Sequence, residues 1–97
     1  MSNEIAQLWQ QHQGATFPAD CRGEEVDGID LVMLDADTAG CISCFLTSSG
    51  QLDSKRREIL VACRRDLDQV LPQLQGHASV YYGRLRALAE AVLKALR

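Results

Sequence analysis

Three cysteines have the type and spacing that could do chemistry. Cys41 and Cys44 form a CxxC pair, and Cys63 could join them from a neighbouring helix. Thiolates bind zinc or exchange disulfides, so a small metal- or thiol-dependent protein is one hypothesis. A zinc site needs four ligands, however, and His12 and His77 are single and distant in the chain. The pattern therefore favours cysteines that act as small core side chains, with no bound metal or cofactor.

Three aspartates, Asp30, Asp35 and Asp37, are the second candidate group. In a helix, residues seven apart are separated by about 10 Å, which is too far for two carboxylates to share one small ion. No glycine-rich phosphate loop, nucleophile elbow or HExxH motif accompanies them. We expect these aspartates to cap helix starts or to pair with arginines of the C-terminal half. The sequence thus favours a protein that is not an enzyme.

Charge is distributed unevenly along the 97 residues. Residues 1–53 contain nine acidic residues and one basic residue, whereas residues 54–97 contain nine basic and four acidic residues. The two halves are expected to pack together so that their fields partly cancel. Nucleic-acid binding through residues 55–65 is the least favoured function, because the net charge is −3 and aromatic residues do not alternate with the bases.

Two long amphipathic helices are predicted in the C-terminal half, over residues 53–71 and 77–96. Apolar residues recur in both at spacings of three and four. Pro72 lacks a backbone donor and should end the first of these helices near Leu71. Two such helices joined by a short turn make an antiparallel hairpin, whose wide apolar faces need a cover from the acidic half of the chain.

Residues 28–47 are the hardest segment to assign. A helix there would be apolar on nearly every side, which predicts a central, buried helix capped by Asp27. The alternative is a β-hairpin over residues 29–46, which would make the fold α+β. We favour the helix, because a glycine at position 50 ends it naturally.

A short helix is predicted over residues 3–13, with Ser2 as its cap, followed by a loop over residues 15–27. The complete prediction is a single all-α domain over residues 1–97. Its four helices form an orthogonal or bundle-like arrangement that ends in the helical hairpin.

One set of residues resembles a group of small bacterial proteins of unassigned function. It comprises Gly28-Ile29-Asp30-Leu31-Val32-Met33-Leu34-Asp35, Ala39-Gly40-Cys41, Leu52-Asp53 with Arg57, and Arg65-Asp66-Leu67. The similarity covers most of the chain from about Leu8 onward. It implies a bacterial origin and a self-contained domain, and it brings no catalytic residue with it.

The favoured function is a non-catalytic helical domain that binds another protein or forms a homodimer. Candidate residues for the interaction surface are Trp9, Tyr82, Arg56 and Arg57, since aromatic and arginine side chains dominate interface centres. The longest aliphatic run, residues 31–34, is too short for a membrane helix. Residues 1–13 carry no basic residue and do not resemble a secretory signal, so a cytoplasmic protein is expected.

Overall fold

The computed structural model describes residues 3–96 and contains four helices, which confirms the all-α prediction. The helices are α1 (Asn3–Gly14), α2 (Leu31–Thr47), α3 (Ser54–Val70) and α4 (Gly76–Ala95). The shorter elements are two 3-10 turns (Ala19–Cys21 and Leu71–Gln73) and two strands, β1 (Glu25–Val26) and β2 (Ile29–Asp30). Ser2, the predicted cap of α1, lies outside the described residues.

The C-terminal hairpin of α3 and α4 forms as predicted. Asp53 caps α3, since its carboxylate accepts a hydrogen bond from the Arg56 amide at 2.8 Å. The helix ends at Val70, and Pro72 lies in the 3-10 turn that follows.

The start of α2 differs from the prediction. Asp27 and Gly28 have positive φ angles of 53° and 79° and form the turn that joins β1 to β2. Such a two-residue turn favours Asp-Gly, because both positions need left-handed backbone. The predicted Asp27 cap is therefore wrong: α2 begins at Leu31, and Asp30 caps it by accepting the Met33 amide at 3.0 Å. The alternative β-hairpin over residues 29–46 is also wrong, since this segment is helical beyond Asp30.

The core lies where α2 packs against α3 and α4, while α1 covers another part of α4. The predicted apolar seams of the hairpin face inward. Their fully buried members include Leu60, Leu67, Leu85, Leu88 and Val92. Helices from the acidic half therefore cover the apolar faces of the basic half.

The prediction that α2 is buried on nearly every side is wrong for one face. Leu34, Ile42 and Phe45 are buried, whereas Met33 is 54% exposed. Since α3 and α4 both pack against other faces of α2, the side that carries Met33 stays open to solvent. This open face forms one wall of a groove.

Candidate functional site

A groove of about 400 Å³ lies between α2 and α3 and is called here the α2–α3 groove. One wall, formed by α2 and its cap, contains Asp30, Met33 and Asp37, and the opposite wall, on α3, contains Ile59, Ala62 and Asp66. In each wall the three residues are spaced i, i+3 and i+7, so they lie along one helix face. The groove thus combines apolar side chains with carboxylates from both walls.

The β1–β2 turn closes one end of the groove and is held by polar contacts. The Asp27 carboxylate accepts hydrogen bonds from Gln73 Nε2 at 2.7 Å and from Gln69 Nε2 at 3.4 Å. The Leu31 amide donates to the Glu24 carbonyl at 3.1 Å. These bonds connect the turn to the end of α3 and to the first turn of α2, and so they fix both groove walls relative to each other.

Two large apolar side chains in the groove are accessible to solvent. Met33 is 54% exposed and Ile59 is 37% exposed. Methionine adapts its shape readily and is common at surfaces that bind other proteins. The groove therefore has an adaptable apolar side chain on one wall and a stiff branched one on the other.

The charge of the groove is negative. Among the described residues that line it are three aspartates and no lysine or arginine. Asp30 is used as the cap of α2, whereas Asp37 and Asp66 make no hydrogen bond or ion pair with a side chain in the described part of the protein. Two carboxylates are thus free to meet a partner.

The basic half of the chain forms its ion pairs within the α3–α4 hairpin. Arg64 pairs with Glu90 at 2.7 Å, and Arg86 pairs with Asp68 at 2.6 Å. The Asp53–Arg56 pair, within the first turn of α3, joins the acidic half to the basic half. The predicted pairing of the α2 aspartates with these arginines is therefore wrong, although Asp30 does cap a helix start.

The candidate cysteines are placed in a protected environment. Cys41 is buried and donates its thiol hydrogen to the Arg56 carbonyl at 3.5 Å. Burial, with lesser repulsion from Cys63 and Cys44, raises the pKa of Cys41 to about 11. Burial also raises the pKa of Cys63. In residues 3–96 no group of three or more His, Cys, Asp or Glu side chains is arranged to hold a metal ion.

Thiol labelling tests the thiol hypothesis directly. At neutral pH we expect a maleimide to label Cys44 first in the native protein, because Cys21, Cys41 and Cys63 are all buried and burial raises the pKa of each thiol. Mass spectrometry of peptides after a labelling time course gives the order, and the urea-unfolded protein is the control in which all thiols react. Fast native labelling of Cys41 would contradict this placement and favour a reactive CxxC pair.

A buried polar cluster joins three helices but has little access to solvent. Asp35 accepts a hydrogen bond from the Tyr81 hydroxyl at 2.8 Å, and its other oxygen lies 3.3 Å from His12 Nε2. The side chains of His12 and Asp35 are only 8% and 18% exposed. None of the three lines the α2–α3 groove. The cluster connects α1, α2 and α4, so we interpret it as a structural contact.

Sequence reasoning missed this cluster, although it left two signals. His12 falls on the apolar face of α1, and Asp35 interrupts the apolar pattern of α2. A polar residue on each of two inward faces indicates that the two are partners, because unpaired polar groups are rarely buried.

The four residues predicted for an interaction surface are not brought to the groove. Tyr82 is fully buried, and its hydroxyl donates to the Leu31 carbonyl at 2.7 Å. Its assignment to a surface is therefore wrong, because the ring fills the core beneath α2. Trp9 is half-buried and stacks on His12 with ring centroids 5.7 Å apart. Arg56 and Arg57 are exposed at the start of α3 but do not line the groove.

Comparisons with protein-family models, curated proteins and solved structures found no match to the chain. Among the helices of residues 3–96, none combines the length and apolarity needed to cross a membrane. Bacterial origin, cytoplasmic localisation and homodimer formation stay predictions.

Proposed function

We propose that this protein is a non-catalytic interaction domain that binds another protein through the α2–α3 groove. The observation that carries the proposal is the exposure of Met33 and Ile59 on opposite walls of one groove. The other large exposed apolar residues, Val32, Val61 and Val80, do not line it. Single exposed apolar residues are ordinary, whereas two on opposite walls of one concave surface favour binding.

Burying Met33 and Ile59 under a partner would contribute favourable free energy to binding. Complete burial of an exposed Met or Ile contributes about 1.5–3 kcal/mol. Since both are already partly covered, docking would contribute on the order of 1 kcal/mol from each. Contacts with Ala62 and Ile29 add to this. The sum suits a reversible interaction in which a few anchors carry most of the affinity.

The chemistry of the groove favours binding over catalysis. Its one thiol, Cys63, has a raised pKa, which keeps it protonated and a poor nucleophile at neutral pH. Asp30 is engaged as a helix cap. Asp37 and Asp66 remain, and carboxylates beside apolar side chains fit recognition of a partner surface.

The test is a selection of binding peptides from a displayed random library on the immobilised full-length protein. We expect enriched peptides to bind the native protein and to lose binding to the double variant Met33→Ser, Ile59→Ser, which removes apolar contacts without changing charge. The matched control is Val61→Ser, Val80→Ser, which alters exposed apolar residues outside the groove and should keep binding. Circular dichroism verifies that both variants remain helical.

Two results would contradict the proposal. One is a failure to enrich peptides that distinguish the groove variant from the native protein. The other is a homodimer in sedimentation experiments that dissociates when Met33 and Ile59 are replaced by serine, since the groove would then belong to a second copy of the chain.

A further inference from the structure

We infer that the segment bound in the α2–α3 groove is a positively charged amphipathic helix of the partner protein. This inference rests on the proposed function and adds the chemical class of the partner. It depends on the length of the groove, on the elements that form its walls and on the charges along it.

The length of the groove matches two helical turns. From the cap Asp30 to Asp37 on α2, and from Ile59 to Asp66 on α3, there are seven residue steps, or about 10 Å along a helix axis. A docked helix presents side chains at i, i+3 or i+4 and i+7 over the same distance. The apolar stripe of a helix of this length would therefore reach both Met33 and Ile59.

The walls of the groove favour a helix over an added strand. Both long walls are helices, and a third helix packs into the groove between two others by the usual ridge-and-groove fit. Strands β1 and β2 have only two residues each, so they provide almost no free edge for an extended peptide.

The aspartates that line the groove indicate that the partner helix carries positive charge. Asp37 and Asp66 line the groove, one on each wall, and have no basic side-chain partner in the described residues. The arginines of α3 and α4 that form ion pairs do so with Asp68 and Glu90 in the same hairpin, or with Asp53 at its start, so they do not neutralise the groove. Lysine or arginine residues beside the apolar stripe of the partner would pair with the two free carboxylates, whereas an acidic helix would be repelled.

The experiment uses three synthetic peptides of about 14 residues, or four helical turns, with one shared leucine pattern. Their polar positions are all lysine, all glutamine or all glutamate. Fluorescence anisotropy with the full-length protein measures Kd at low and at physiological ionic strength. We expect the lysine peptide to bind most tightly and to weaken with added salt, and the glutamate peptide to bind least.

Two charge variants locate the effect. Asp37→Asn with Asp66→Asn should weaken the lysine peptide about tenfold and leave the glutamine peptide unchanged. The matched control, Glu24→Gln with Glu25→Gln, also removes two carboxylates but lies outside the groove and should leave Kd unchanged. An equal loss in both variants would mean that overall charge attracts the peptide, and it would overturn the inference.

The outcomes separate the inference from the proposed function. If the glutamine peptide binds as tightly as the lysine peptide, and both depend on Met33 and Ile59, the groove still binds helices and only the charge inference is wrong. If no peptide depends on Met33 and Ile59, the proposed function fails, and the inference fails with it.

Discussion

Replacing Phe45 with alanine is expected to lower the free energy of unfolding by about 3–5 kcal/mol. Phe45 is 1% exposed and lies in the core on α2. The substitution removes a large apolar side chain and leaves a cavity that the surrounding helices fill only in part. A domain of this size typically has a stability of about 5–15 kcal/mol, so the variant would lose a large fraction of it.

Urea denaturation followed by circular dichroism measures this effect. The matched control is Met33→Ala on the same helix, which removes a large but exposed apolar side chain and should change stability by no more than about 0.5 kcal/mol. Equal losses of stability in the two variants would show that α2 does not pack with Phe45 inward and Met33 outward. Met33 would then not line the groove.

Replacing Asp35 with alanine is expected to lower the free energy of unfolding by about 1–3 kcal/mol. The carboxylate is the hydrogen-bond acceptor for the buried Tyr81 hydroxyl and lies beside the buried His12 ring. Without it, the Tyr81 hydroxyl stays buried with no partner, which costs about 1–3 kcal/mol, and His12 loses its contact with the carboxylate. The loss should also weaken the packing of α1, since His12 lies on that helix.

Two further variants separate the loss of the Tyr81 hydrogen bond from the loss of the negative charge. Asp35→Asn keeps an acceptor for Tyr81 and should lose less stability than the alanine variant. Asp37→Ala removes an exposed carboxylate two residues further along α2 and should change stability by no more than about 0.5 kcal/mol. If Asp35→Ala and Asp37→Ala are equally mild in urea denaturation, the polar cluster contributes nothing to the fold.

Much of the fold could be predicted from local patterns. In α3 and α4 the apolar spacing, the Asp53 cap and the position of Pro72 agree, so both helices were predicted within one or two residues. The start of α2 was harder, because apolar residues continue from the β1–β2 turn into the helix. Asp27-Gly28 carried the missing signal, since this pair favours a two-residue turn with positive φ more strongly than a helix start.

The groove could not be predicted with the same ease, because it depends on which faces the other helices leave open. The pattern of α2 is apolar on nearly every side and does not say that Met33 would stay exposed while Phe45 is covered. The burial of Tyr82 has a similar cause. Tyr82 lies at the edge of the apolar seam of α4, a position that can be exposed or buried. It is buried because α2 packs over α4.

The most direct test of the binding surface is a map of amide chemical-shift changes in the ¹⁵N-labelled full-length protein when the lysine–leucine peptide is added. The binding proposal predicts that the largest changes fall on residues 28–37 and 59–66, with little change around Glu24 and in α4. Changes concentrated elsewhere, or no saturable change at any residue, would contradict the assignment of the α2–α3 groove as the surface that recognises a partner.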